Sequence, residues 1–344
     1  MSKSKGFALV LVLWVLSLLT IMAGSFALSM RREAGIVAGS STNAQAAAIA
    51  ESGLAIAELM LMHPDQLQRW RTDGSIYQVD YVDSRVRIRP LSEVGKIDIN
   101  SADQTLLQQL MVHAPVDAKA QTKLVNAILD WRDADDLVHI DGAEKKEYQD
   151  AGLSYSPRNK PFQSIEELQM VLGMNEQVFK SIENLVTVYS GQAKIDLTQA
   201  SKEVLQTLPG VDAGLIDEYI AARRESAING LPAPPFTAYT PVQPGIGAAG
   251  TANQGIAPGQ ANPAGTAANG GATQQGAITV VSEAQLDDGS TAVVQALIKK
   301  SDNALGASPF QVLKWQHNAV DGSLFADNED ELLVRLYAEP EFNN

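Results

Sequence analysis

A long apolar run near the amino terminus constrains this chain more than any other feature. Residues 7–30 form a stretch of 24 residues without a charge, led by "FALVLVLWVLSLLTIMAGSFAL". Residues 7–28 would extend about 33 Å as a helix, enough to cross a hydrocarbon core of roughly 30 Å. A secretory signal peptide has a shorter apolar stretch, of about 7–15 residues, with a small-residue cleavage site after it. The run therefore predicts a membrane-spanning helix, with the stub that holds Lys3 and Lys5 on the inner side.

The helical pattern continues beyond the apolar run. Small and apolar residues recur there at spacings of three and four, which places on one helix face Ala47, Ala50, Leu54, Ala57 and Leu61. Pro64 ends this pattern. A single helix from Phe7 to about Met62 would measure on the order of 84 Å.

Strand patterns lie on both sides of a helical block. The segment "YQVDYVDSRVRIRP" alternates apolar and polar residues around a turn at Asp83-Ser84, which predicts a hairpin. Strand-like runs return much later in "ITVVSEA", "STAVVQALIKK" and "FQVLKWQHN", and "LLVRLY" could add one short strand. This order is explained by a helix that packs on antiparallel strands. A helical insertion separates those strands in the sequence.

The intervening block, residues 98–225, has the pattern of short helices and contains an internal repeat. Helix start signals occur at Asn100-Ser101, at Ser164 and at Thr198. The segments "KIDINSADQTLLQQL" at Lys96 and "KIDLTQASKEVLQTL" at Lys194 share most of their apolar positions. Two copies of one small helical unit are the expected meaning.

These patterns give an α+β fold class with a large all-helical domain inserted between the strands, and its two units resemble helix-hairpin-helix or SAM-like modules. From Ser226 to Ser282 no charge occurs and small residues dominate, so this stretch cannot bury enough apolar surface to offset its ordering entropy. The predicted divisions are an amino-terminal stub (1–6), the long helix (7–64), strands (65–95), the helical domain (96–230), a disordered loop (231–276), and strands with an acidic tail (277–344).

Composition excludes several classes of function. The net charge is −14, which argues against a nucleic-acid surface and against docking on anionic lipid. The chain has no cysteine, so disulfides and thiolate metal sites are excluded. The four histidines form no metal-binding or catalytic pattern, and no nucleophile elbow, P-loop or zinc motif occurs. We expect a protein that is not an enzyme.

One dense acidic cluster could bind a cation. Residues 130–150 hold eight carboxylates against three basic residues. Oxygen ligands are offered around a turn by Asp133, Asp135, Asp136, Asp141 and Glu144. A hard cation such as Ca²⁺ takes about 6–8 oxygen ligands, although the spacing is not that of an EF-hand. The alternative is a solvated acidic helix end, and the residues alone leave both open.

The leader carries a resemblance to a known family. A basic stub ending in Gly6, then Phe7, an apolar helix and an amphipathic continuation resemble the type IV prepilin leader. The resemblance implies that a prepilin peptidase cuts after Gly6 and that the new amino terminus, Phe7, is methylated. Most members have glutamate five residues after the cut, where this chain has Leu11. That departure, together with the interrupted sheet, resembles the K-type minor pseudopilin of type II secretion over essentially the whole chain.

This resemblance implies a structural subunit at the tip of a periplasmic fibre that exports folded proteins. The expected location is the inner membrane, crossed once, with a periplasmic head. The expected partners are two other minor pseudopilins, the prepilin peptidase and the inner membrane; exported cargo is a further partner, and nucleic acid is not one. K-type proteins also carry a similar acidic motif that binds calcium, which favours Asp133, Asp135 and Glu144 as ligands and adds Asn159.

A different function fits another motif. "VLQTLPGVDAGLIDEYIAARR" resembles a helix-hairpin-helix, which suggests a membrane-tethered DNA-binding protein of the competence type. In that module glycines let backbone N–H groups approach phosphate, yet Asp212 stands where a second glycine is expected. The segment 194–225 also has more acidic than basic residues, so repulsion from phosphate disfavours this alternative.

Overall fold

The structure, a computed structural model, describes residues 7–239, 276–301, 308–317, 322–326 and 333–334. Its helices are α1 (Phe7–Leu61), α2 (Gln104–Val112), α3 (Ala118–Arg132), α4 (Lys145–Asp150), α5 (Glu176–Ile182), α6 (Lys202–Gln206) and α7 (Ala213–Ile228). Its strands are β1 (Ile76–Asp80), β2 (Ser84–Ser92), β3 (Ile97–Asp98), β4 (Val186–Thr187), β5 (Ile278–Leu286), β6 (Thr291–Lys300), β7 (Phe310–His317) and β8 (Leu333–Val334). The stub with Gly6, most of the predicted disordered loop and most of the acidic tail lie outside the described residues.

Helix α1 is one continuous helix of 55 residues. The described side chains of its apolar first part are all exposed, and it is the one helix among the described residues that is long and apolar enough to cross a membrane. Its second part buries a stripe of small and apolar residues, namely Ala46, Ala50, Leu54, Ala57 and Leu61. The predicted stripe is correct except at its start, where Ala46 is buried and Ala47 is only half-buried.

The stripe packs on a six-stranded sheet with the strand order β7-β6-β5-β2-β1-β8. All neighbours are antiparallel except β8, which runs parallel to β1. Inward-facing residues such as Val79, Val86 and Val280 form the core beneath α1. The turn of the predicted hairpin is at residues 81–83 rather than at Asp83-Ser84, because Ser84 already pairs with Leu286 of β5. The α+β class and the helix-on-sheet arrangement are confirmed.

Helices α2 to α7 form a second apolar cluster between β2 and β5 in sequence. Its largest buried side chains include Trp131 of α3 and Tyr148 of α4, whose rings lie 6.1 Å apart. A two-stranded parallel pairing of β3 with β4, which the sequence patterns do not predict, joins the start of this block to its middle. The helical insertion between strands is therefore present.

The internal repeat corresponds to two helix pairs, α2–α3 and α6–α7. Asp103 caps α2 and Ser201, the equivalent residue 98 positions later, caps α6. The apolar positions also correspond, since Leu107 and Leu205 are both completely buried. In each pair an arginine of the second helix donates to a carbonyl before the first helix: Arg132 to Ala102 at 2.6 Å and Arg223 to Ala200 at 2.7 Å.

Two predicted helix starts are displaced, and a third is right in position but lacks the predicted side-chain cap. Asn100 and Ser101 donate their backbone N–H groups to Asp98 Oδ1 in a turn, and α2 begins only after Asp103. Thr198 makes the equivalent turn with Asp196, and α6 begins after Ser201. Ser164 precedes a 3₁₀ helix, Ile165–Met170, and its side chain makes no capping hydrogen bond. Local turns of Asp side chains displace the true caps by about three residues.

The segment predicted to be disordered from Leu231 is packed at its start. Phe236 is buried against Tyr219 of α7, with ring centroids 4.7 Å apart. The Tyr219 hydroxyl donates to the Pro234 carbonyl at 3.0 Å. Tyr219 therefore holds the start of the low-complexity stretch through one ring contact and one hydrogen bond. The described chain continues to residue 239.

Candidate metal centre

Asp130, in the last turn of α3, organises the acidic loop. Its carboxylate is completely buried, and Oδ1 accepts from the His139 backbone N–H at 3.1 Å and also contacts His139 Nδ1. Oδ2 accepts from the Ala143 N–H at 2.6 Å. A Cβ on Gly142 would lie 2.1 Å from that same oxygen, so only glycine fits there. Asp130 therefore folds residues 133–143 back onto the end of α3.

Two neighbouring carboxylates have buried oxygens without a hydrogen-bond partner. Both oxygens of Glu144, which is 5% exposed, and Oδ1 of Asp133 are in this state. Burial, followed by the charges of Asp130, Asp133 and Asp136, raises the pKa of Glu144 to about 7. Burial and the charges of Asp135 and Asp130 raise the pKa of Asp133 above its ordinary value. Negative charge is thus concentrated here without a cationic side chain that balances it fully.

The six predicted ligands do not all converge. The tight group, with ligand atoms all within 4.8 Å of one another, consists of Asp130, Asp133 and His139, so it includes one of the six. Glu144 lies close enough for Asp130 and Asp133 to shift its pKa. Asp141 is exposed and has a positive φ of 61°, which places it in the turn of the loop.

The remaining predicted residues hold the loop by their own hydrogen bonds. Asp135 Oδ1 accepts from the Leu137 N–H at 2.9 Å. Asn159 Nδ2 donates to the Asp135 carbonyl at 2.7 Å and to Asp136 Oδ1 at 2.8 Å. Asn159 therefore lies beside the loop as the resemblance implies, although the structure presents its amide nitrogen to these oxygens.

Asp130 and His139 are absent from the prediction. Asp130 lies in the last turn of α3, and Asp133 follows the helix in an extended conformation, so helical spacing does not indicate the pair. His139 has no signal in the sequence either. Its Nδ1 lies 3.9 Å from Asp133 Oδ2 as well as against Asp130, so a protonated His139 would neutralise part of this charge.

The donor set suits a hard cation. The unpartnered atoms are carboxylate oxygens, which Ca²⁺ prefers, and the one imidazole nitrogen that faces the group is engaged by Asp130. Orphaned buried carboxylate oxygens are costly unless a partner neutralises them. The unpartnered oxygens of Glu144 and Asp133 are of the kind that a hard cation binds.

The helix-hairpin-helix motif keeps its tight turn but places a carboxylate where phosphate would bind. Gly210 has a positive φ of 73°, as a tight hairpin requires. Asp212, however, caps α7 and accepts from the Gly214 N–H at 2.7 Å. A carboxylate therefore occupies the helix amino terminus that would otherwise attract a phosphate. The DNA-binding alternative is not favoured.

The fold and the site define an α+β protein with a long apolar helix on an antiparallel sheet and an inserted helical unit that carries an acidic loop. Residues 85–191, from β2 through the acidic loop to just past β4, match the family model of the type II secretion system (T2SS), protein K. Over these residues the resemblance to the K-type minor pseudopilin is confirmed.

Among solved structures, the chain is similar to one in the crystal structure of the GspK-GspI-GspJ complex from the enterotoxigenic Escherichia coli type 2 secretion system. The two are 16% identical, the alignment covers 85% of this chain and 99% of that chain, and the TM-score is 0.42. No match was found among curated proteins.

Proposed function

We propose that this protein is the subunit that initiates and caps the periplasmic pseudopilus of type II secretion, the fibre that drives folded proteins across the outer membrane. The proposal rests on the fact that α1 has two parts with different surroundings. Its first part exposes an unbroken apolar surface, and its second part packs on an antiparallel sheet. That division separates a membrane-inserted and fibre-forming half from a folded head.

The apolar half anchors the chain in the inner membrane as a single span, and the head lies in the periplasm. Prepilin peptidase removes residues 1–6 after Gly6, and the new terminus at Phe7 is methylated. The exposed side chains of residues 9–30 match the length of a hydrocarbon core. No positive charge interrupts this stretch, so insertion costs little free energy.

The position at the tip follows from what α1 lacks. Residue 11, the fifth after the cut, is an exposed leucine. A carboxylate at that depth costs about 2.5–3.5 kcal/mol in a bilayer, which a fibre subunit offsets by pairing it with the amino terminus of the subunit above. A subunit with nothing above it has no such partner and gains by replacing the carboxylate with leucine.

The partners of this tip are two other minor pseudopilins. Helix association in a membrane depends on close van der Waals approach, which small residues permit. Beyond the span, α1 exposes small residues such as Gly35, Gly39 and Ser40. Apart from the adjacent helix backbone, no described heavy atom lies within 4 Å of a Cβ built on either glycine. The helices of neighbouring subunits would pack along this surface.

Calcium has a structural role in the head. Asp133 and Glu144 would supply carboxylate ligands, with Asp135, Asp136, Asp141 and Asn159 around them. The ion would neutralise the neighbouring charges that, after burial, raise the pKa of Glu144 and Asp133. Binding would stabilise the loop that Asp130 folds onto α3.

The proposal is tested by deleting the gene in its own cell and measuring both fibre assembly and export of folded proteins. Both are expected to fail and to return with the intact chain. A chain with Phe7→Pro, which alters the first residue after the cut, provides a variant that keeps the head unchanged. Normal export by the deletion strain would contradict the proposal.

A further inference from the structure

The six-stranded sheet ends at the short strand β8 on one side and at β7, the open edge, on the other. At the first edge, β8 pairs with β1 through Ile76–Leu333 and Tyr77–Val334. At the other edge, β7 pairs on one side only, with β6, among the residues that the structure describes. An edge strand presents a row of backbone N–H and C=O groups that can bind another extended chain.

Lysines lie close to the open edge in an otherwise acidic protein. The chain has 40 carboxylates and 26 lysines and arginines, yet β6 and β7 together carry three lysines and no carboxylate. Lys299 and Lys300 are exposed and make no ion pair with the described residues, whereas Lys314 pairs with Glu166 of the helical block. Lys299 and Lys300 end β6, the strand next to β7, and their positive charge favours an acidic partner over a basic one.

The open edge also continues the apolar face of the sheet. Val312 and Trp315 pair with Ile298 and Ala296, and residues paired across antiparallel strands point to the same face. Ile298 and Ala296 belong to the core beneath α1, so Val312 and Trp315 lie on that face too. They are 45% and 39% exposed, which leaves an apolar shoulder beside α1.

We propose that β7 binds an extended acidic segment of a neighbouring minor pseudopilin by strand addition. The backbone of β7 supplies the hydrogen bonds, and Val312 and Trp315 contact apolar side chains on one face of the added strand. Lys299 and Lys300, at the end of the adjoining β6, attract its carboxylates from the two faces of the sheet. The inference rests on the proposed function, because that function supplies the neighbour. Strand addition requires the partner to be an extended polypeptide, because the unpaired N–H and C=O groups of β7 bind another backbone. A basic patch without such groups would bind any acidic molecule.

Charge reversal tests the electrostatic part. The intact chain, solubilised in detergent, is purified from cells that co-express the other minor pseudopilins of the same secretion system, and the amount of each that co-purifies is measured. Lys299→Glu combined with Lys300→Glu is expected to lower co-purification by about tenfold or more. The control, Lys119→Glu combined with Lys180→Glu, changes the net charge equally on exposed helix positions and is expected to have no effect.

Proline substitution tests the backbone part. Consecutive residues of an edge strand direct their N–H groups alternately to the neighbouring strand and to the open side. Of Gln311→Pro and Val312→Pro, one should lower the melting temperature because it breaks the pairing with β6. The other variant removes an N–H group on the open side, so it should keep the wild-type melting temperature but no longer bind the partner.

The outcomes separate this inference from the function on which it rests. Wild-type co-purification together with unaffected charge-reversal and proline variants would overturn strand addition and leave the tip assembly standing. Failure of the wild-type chain to bind any minor pseudopilin would overturn both. Self-association of the purified chain through β7, abolished by the same variants, would assign the edge to a second copy and would also overturn the proposal.

Discussion

Gly53 of α1 lies directly against Ser282 of β5, so closely that a Cβ on Gly53 would stand 2.2 Å from the Ser282 hydroxyl oxygen. The same Cβ would lie 2.7 Å from a methyl carbon of Val86 on β2. No side chain can be accommodated without moving the helix away from the sheet. This contact fixes the distance between the long helix and the strands of the head.

Gly53→Ala is therefore expected to destabilise the head, although alanine favours helix more than glycine does. Overpacking of this kind costs about 1–3 kcal/mol. Thermal unfolding of the detergent-solubilised chain measures the effect. The matched control is Gly39→Ala, which meets no atom within 4 Å and should leave the melting temperature unchanged or raise it. Equal melting temperatures for the two variants would contradict the close contact.

Calcium is expected to stabilise the head through Asp133 and Glu144. At a concentration one hundred times the dissociation constant, a ligand that binds only the folded state adds about 2.7 kcal/mol. The melting temperature should therefore rise with millimolar Ca²⁺, and Asp133→Ala should abolish the rise. Asp150→Ala, at an exposed carboxylate of the same loop region, is the control and should keep it. A melting temperature that does not change with Ca²⁺ would contradict calcium binding at this site.

The metal-free protein should lose stability as the pH rises between about 4.5 and 7. The pKa of Glu144 is raised by burial and by Asp130, so the folded state holds a proton that the unfolded state has already released in this range. The contribution is fully present below the unfolded pKa and is lost as the pH passes the folded pKa. Urea midpoints in the presence of a chelator measure it.

Glu144→Gln is the test of this assignment. The glutamine does not titrate, so its urea midpoints should vary less between pH 5 and pH 7.5 than those of the wild-type chain. A variant with the same pH dependence as the wild type would show that other groups are responsible.

The second repeat depends on a buried arginine. Arg223 is 4% exposed, donates to the Ala200 carbonyl at 2.7 Å and lies 3.8 Å from the buried Asp73 carboxylate. Arg223→Met leaves that carbonyl and part of that charge uncompensated, for which about 3–5 kcal/mol is expected. Chemical unfolding measures the loss, and Lys119→Met, at an exposed position of α3, is the control. A loss no larger than that of the control would show that the contact is dispensable.

The broad architecture was accessible from the sequence because it rests on periodic patterns. The stripe that ends at Leu61, the alternation in β1 and β2, and the repeat of Leu107 at Leu205 all follow from where apolar side chains must be buried. The cap positions were not accessible, because Asp98 and Asp196 form local turns that look like helix starts. The packing of Phe236 on Tyr219 depends on a tertiary contact that no local pattern contains.

The acidic loop was located correctly as a cluster, but its internal roles were not. Glu144 reads in sequence as one more acidic residue of an acidic segment. Its distinction is burial without a partner, which only the folded chain reveals. Asp130 was overlooked because its hydrogen bonds to His139 and Ala143 require the loop to fold back on α3.

The position of the chain in purified pseudopili is the most direct test of the central claim. The sequence contains no cysteine, so Lys119→Cys introduces a single thiol for a gold label on the head. Electron microscopy is then expected to show one label at one end of each fibre. Labels spaced regularly along the fibres would contradict a tip subunit.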